Sequence, residues 1–168
     1  MGMVGIEAVV DAIVTKLQSD MPAKVAALNA AYADTHVLLV PTPANYYTEL
    51  PDPIVPTFTS PAIVVRQSTD RANLPESNPE MYLTEYNVQV DVVVRSKDAH
   101  DLSRLLMRYT RAIKEILVAR HALAPTCTMC MWSETDWRQP LYTNPKIVGL
   151  MLKDVPSLFW VRTAESTT

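Results

Sequence analysis

Glycine is almost missing from this chain. Gly2, Gly5 and Gly149 are the only three in 168 residues. No glycine-rich phosphate loop can be built from them, so P-loop and Rossmann nucleotide sites are excluded in their usual form. Cysteine is as scarce, with Cys127 and Cys130 alone, and two thiols suit a protein made in a reducing cytoplasm. A basic excess is lacking too. Lys and Arg number 15 against 18 Asp and Glu, a formal charge of −3, and the pI is about 5.6. That disfavours a dedicated nucleic-acid binder. No apolar run approaches the ~20 residues of a membrane span. The opening stretch MGMVGIEAVVDAIV has no basic region and carries Glu7 and Asp11, so no signal peptide is expected. Ile6 stands where a myristoylation motif needs Ser or Thr.

What is present suffices for a core. Hydrophobic residues make up 48% and charged residues 20%, which predicts one folded domain over 1–168. Ile6, Val9, Val10, Ile13 and Leu17 recur at helical spacing, and Val25, Leu28 and Tyr32 continue the stripe. Ser19 or Asp20 can cap a new helix, with Pro22 in its first turn. The spacing therefore predicts two helices, or one broken helix, over 4–33.

Proline is concentrated. Six of the 13 prolines fall in residues 41–61, interleaved with Tyr46, Tyr47, Leu50, Ile54, Val55 and Phe58. Proline forbids helix and central strand and holds the backbone extended. The segment is either a long loop packed on its own domain or a stiff arm laid on a neighbouring subunit. A stiff arm loses little entropy on docking.

A short strand is expected over Ala62–Arg66, then a polar connection over 68–80. In the clearest strand, Tyr86, Val88, Val90, Val92 and Val94 alternate with Asn87, Gln89, Asp91 and Arg95. Such alternation belongs to an antiparallel sheet with one face on the core. The polar face, around Gln89 and Asp91, is wet or meets a partner. Asp98 opens the longest helix. Leu102, Leu106, Tyr109, Ile113 and Ile116 form its apolar stripe, and Arg104, Arg108, Arg111 and Glu115 the opposite, solvated one. Arg120 and His121 are placed in its last turn, with Pro125 as the stop. Residues 126–138 and 146–163 read as two more strands, with a bulge or bend at Pro156. Residues 164–168 read as a frayed polar tail. The fold class is α+β: a mainly antiparallel sheet of about four strands packed by a long helix, spanning 62–163.

The chemical inventory is thin. Cys127-Thr-Met-Cys130 has no second ligand pair for zinc, and a three-residue separation in a strand puts the two thiols on opposite faces. His36, His100 and His121 are scattered. No Gly-x-Ser-x-Gly or HExxH motif occurs. Trp132, Trp137 and Trp160 suit core or interface anchors. No catalytic, metal or cofactor residues are expected, and an assembly protein is favoured over an enzyme. The candidate interface is Tyr46, Tyr47, Ile54, Val55, Phe58, Gln89 and Asp91.

The order of elements resembles the tail terminators and head–tail connector (neck) proteins of tailed bacteriophages. The resemblance rests on the helix IEAVVDAIVTKLQ, the Pro-rich segment running into Ser60-Pro61-Ala62-Ile63-Val64-Val65, and the strand YNVQVDVVVRS leading through Lys97-Asp98 into DLSRLLMRYTRAIKEIL. Two last strands end in Phe159-Trp160-Val161. The resemblance implies a structural virion protein made in the host cytoplasm. Its partners would be copies of itself in a ring, commonly of six, and neighbouring neck and tail-tube proteins. Phage DNA would pass through the channel without specific binding, and no membrane would be involved. A connector ring, or a small cytoplasmic enzyme, is the alternative.

Overall fold

A computed structural model of the chain describes residues 5–48, 59–72, 81–119, 122–139, 142–143 and 151–166. Among these are two helices, α1 (Ile6–Tyr32) and α2 (Ala99–Leu117). The strands are β1 (Tyr46–Tyr47), β2 (Ala62–Ala72), β3 (Met81–Ser96), β4 (Met129–Thr135), β5 (Tyr142–Thr143) and β6 (Met151–Ser166). The sheet runs β1-β2-β3-β6-β4, with β5 also on β6. Only the β1–β2 pair is parallel; every other pairing is antiparallel. The fold is α+β and the sheet mainly antiparallel, as expected; the β1–β2 pair makes it mixed.

α1 is one unbroken helix. Pro22 lies inside it and is exposed. Buried Ile13, Leu17, Met21, Val25 and Leu28 carry the apolar stripe across the proline. The N–H that Pro22 lacks would have bonded the carbonyl of Gln18, an exposed residue that water can reach. Burial along the whole stripe outweighs that one bond. The helix ends at Ala33, whose φ of 48° is left-handed and whose N–H bonds the Asn29 carbonyl at 3.0 Å. With glycine so rare, an alanine occupies the position where glycine costs least.

α2 starts where its cap predicts. The Asp98 carboxylate accepts from the N–H groups of His100 and Asp101 at 2.7 and 3.0 Å. It stops at Leu117, well before Pro125; Arg120 and His121 lie outside the described residues. Both helices cover one face of the sheet. Their stripes meet Ile63 and Val65 of β2, Tyr86 to Val94 of β3, and Val155, Phe159 and Val161 of β6 in a single core.

The strands outrun the sequence reading. β2 continues to Ala72, inside the expected connection, and β3 begins at Met81, directly after it and ahead of the expected strand at Tyr86. The expected tail is also paired: Ala164, Glu165 and Ser166 face Leu83, Tyr82 and Met81. Backbone ladders extend past the core there, so no apolar alternation announces them. β4 is shorter than expected, and residues 144–150 lie outside the described residues.

Pro156 causes no bulge against β3; it faces Asp91 in unbroken register. Its carbonyl accepts from the Asp136 N–H at 3.0 Å, on the β4 side. A strand residue points its N and O to the same side, so the missing N–H falls just past the end of β4 and costs β3 nothing. The irregularities lie instead at Gln67/Thr69 in β2 and Trp132/Glu134 in β4.

Candidate assembly surface

The face of the sheet away from the helices is not uniformly wet. Ala62, Val64, Val93 and Leu152 form a second, smaller buried cluster with Tyr47 packed against it. Asp91 sits on this face and is 0% exposed. Gln89 donates to its Oδ1 at 2.7 Å, and Nη2 of Arg66 stands 3.0 Å from Oδ2. Burial pushes the Asp91 carboxyl above its ordinary range against the pull of those partners, and burial does the same to Asp154. The expectation that Asp91 lies on an open polar face is therefore corrected: it is enclosed by its own subunit. Gln89 is half-buried and turned to Asp91.

Tyr46 and Tyr47 pair with Ile63 and Val64 as β1. Tyr46 packs against the main core, and burial raises its phenol to about 12. Neither projects freely. Just before them, buried Asn45 ties two ends of chain together. It donates to the Pro61 carbonyl at 3.0 Å and accepts from the Thr59 hydroxyl at 2.7 Å. Ile54, Val55 and Phe58 lie outside the described residues.

The face of α2 read as solvated is only partly so. Arg104, Arg111 and Glu115 are exposed, but Arg108 is 4% exposed. The chain leaving α1 crosses over it. Arg108 donates to both carboxylate oxygens of Asp34 and to the His36 carbonyl, and its guanidinium lies 4.0 Å over the Tyr32 ring. Beside it, Tyr109 donates to the Leu39 carbonyl and accepts from the Leu39 N–H. Helical periodicity reports only where a residue points, so it misses a loop laid over the polar side.

That crossing also joins two histidines called scattered. The His36 and His100 rings meet edge to face at 5.3 Å, and His36 Nδ1 is 2.8 Å from Asp101 Oδ1. Ser96 donates to the other Asp101 oxygen. Asp101 is hydrogen-bonded to both His36 and Ser96, His100 joins through its ring contact, and together they tie the N-terminus of α2 to the chain after α1. Nothing in the one-dimensional spacing indicates it.

Cys127 precedes β4, so strand alternation does not govern it. Both thiols pack on the same core, contrary to the opposite-face expectation. Burial raises Cys127 to about 11 and Cys130 to about 12. They are protonated at neutral pH and poor nucleophiles or ligands.

Val37, Leu39 and Val40 leave apolar side chains exposed in the chain after α1, and a further open apolar surface lies at β4, an outer strand whose far side is unpaired among the described residues. Met131 is 50% exposed and Trp132 43%, with Met129 and Val118 also exposed. With Lys24, Lys114, Glu115 and Ala119, three of these residues border a cleft of about 600 Å³ between β4 and the end of α2. The Lys114 ammonium stands 3.8 Å over the Trp132 ring, and its pKa is lowered by burial. Lys24 pairs with Glu115 at 3.0 Å, and Trp132 donates to Thr135 at 3.1 Å. The cleft is thus an open, largely apolar groove bordered by Lys24, Lys114 and Glu115. Of the three tryptophans read as core or interface anchors, Trp132 borders this cleft, 43% exposed; its neighbours on α2 become visible only when the strand and helix are brought together.

No family model matches the chain, and no curated protein does. Among solved structures it is similar to a chain of a structure titled "Virion of native gene transfer agent (GTA) particle". The identity is 10% and the TM-score 0.45, over 89% of this chain and 95% of that one.

Proposed function

We propose that the chain is a structural virion protein, and within that class the ring-forming tail terminator subunit at the head–tail interface of a tailed phage. The observation that carries the reading is that the sheet ends in two unlike edges. One is β4 with its exposed Met129, Met131 and Trp132; the other is β1 with the root of the Pro-rich segment. Unlike surfaces at opposite ends of one subunit fit a head-to-tail contact, which closes into a ring when the rotation allows. A non-enzymatic role fits the titratable groups. The thiols are held protonated, and Asp34, Asp98, Asp101 and Glu115 are engaged in caps and ion pairs. Copies of the chain in a ring of six would be its first partners, and neck and tail-tube proteins the next. DNA would pass without specific binding, since the net charge is negative.

The test is particle mass in solution, with electron microscopy of the same sample, alone and with tail tubes. The expected result is a ring of six times the 18.8 kDa chain. A monomer under every one of these conditions would sink the reading.

A further inference from the structure

The two unlike edges leave open which parts meet. We infer that the Pro-rich arm of one copy, residues 49–58, docks along β4 of the next copy, with its apolar side chains in the cleft beside Trp132. This rests on the assembly reading above and adds the contact through which it acts.

Four observations point to that occupant. The arm and the cleft lie at opposite ends of the sheet, because β1 and β4 are its two terminal strands. An arm therefore meets the cleft of another copy, head to tail. The root of the arm is held at the β1 edge by Asn45, which bonds both Thr59 and Pro61. Ten residues lie between Thr48 and Thr59. Five out and five back reach roughly 17 Å at full extension, more than enough to cross to an adjoining strand.

The hydrogen-bonding pattern also fits. In an extended chain, alternate residues present N–H and C=O to the same side. Pro51 and Pro53 remove the N–H groups on one side, while Asp52 and Ile54 keep theirs on the other. Such a segment can add to one open edge and cannot be extended by a further strand. Among the described residues β4 offers an open edge.

Charge and apolarity match as well. The arm carries Glu49 and Asp52 and no basic residue. The cleft is bordered by Lys24 and Lys114 against one carboxylate, Glu115, which Lys24 and Arg111 already pair; Lys114 is stacked on Trp132 and half-buried. Leu50, Ile54 and Phe58 supply apolar side chains for Met131 and Trp132, which are exposed in the single subunit.

The experiment uses two variants of the full chain. I54D/F58D spoils the arm, and M131R spoils the cleft at a position half exposed to water. Each alone is expected to stay folded by circular dichroism and to sediment as a monomer where the wild type forms rings. Mixed one to one, they are expected to form dimers, since the mixture contains one sound arm and one sound cleft per pair. A second measurement does not need rings: a synthetic peptide of residues 48–60 should bind the wild-type chain, change Trp fluorescence, and bind M131R at least tenfold more weakly. Rings formed normally by either variant would overturn the inference while leaving the assembly reading standing. So would an I54D/F58D chain that unfolds, which would place the arm in its own core. A wild type that never forms rings removes the assembly reading; if the peptide also fails to bind, the docking inference falls with it.

Discussion

Arg108 of α2 and Asp34, in the chain that leaves α1, form a two-point ion pair with the guanidinium buried and the carboxylate near water. The Arg108 side chain holds the Asp34 carboxyl down at about 2, well below its usual range. A lowered carboxylate pKa contributes stability that is present above the ordinary value and lost as pH falls toward the folded one. The wild type should therefore lose its advantage over D34N between about pH 4 and pH 2. Urea midpoints of both proteins across that range check it; a constant difference would contradict the pairing.

Arg108 itself should matter more than a surface arginine. R108A removes three donated bonds and the stack on Tyr32, and leaves the His36 carbonyl without its donor. A cost of about 2 kcal/mol is expected. R108K should not recover it, since a lysine cannot fork across a carboxylate. R104A, at an exposed position on the same helix, should change stability by less than about 0.5 kcal/mol.

Asp91 should show the opposite pH dependence to Asp34. Its folded pKa is raised by burial, so its contribution to stability is greatest below the ordinary carboxylate range and declines as pH rises through the folded value. D91N keeps the shape, should stabilise the protein at pH 7, and should lose that gain near pH 4. R66A should do harm of about 3 kcal/mol at pH 7, because it leaves a buried carboxylate without its cation. If D91N and the wild type have parallel pH profiles, Asp91 is not the buried titrating group.

The left-handed residue at the end of α1 is a place to gain stability. Ala33 adopts φ 48°, where a side chain costs about 1 kcal/mol and glycine nothing. A33G should raise the denaturation midpoint by up to that amount. No gain would mean that the chain turns there without strain.

The two thiols should be silent in the native protein. With Cys127 at about 11 and Cys130 at about 12, a thiol reagent at pH 8 should label them only as fast as the protein unfolds. C127S/C130S should fold with a cost of about 1–2 kcal/mol. Fast native labelling would show an exposed, activated thiol.

The core phase of α2 was legible from the sequence. Ile113 is 1% exposed, in the middle of the stripe that 3.6-residue spacing marks out. I113D should prevent folding, since an unpaired buried carboxylate consumes a large part of the ~5–15 kcal/mol available. Circular dichroism of the purified variant reads the result.

The α+β class, the stripe of α1, the Asp98 cap and the alternation of β3 all follow from local rules, because each depends on which residues stand one helical turn or two strand positions apart. Pro22 and Pro156 misled those rules in the same way. Proline's missing N–H is costly only where a partner waits for it, and in both places the orphaned side faced water or the end of a strand. Arg108, the His36–His100–Asp101 cluster, the enclosed Asp91 and the cleft at Trp132 could not be read from spacing. Each joins groups from separate elements, such as Arg108 with Asp34, 74 residues away, and which loop lies over which polar face is decided by packing the helices on the sheet. The sequence alone determined the stripes of the helices and the core face of β3; only the tertiary structure decided which charges are covered and which apolar side chains are left open, because burial belongs to surfaces brought together, not to any residue by itself.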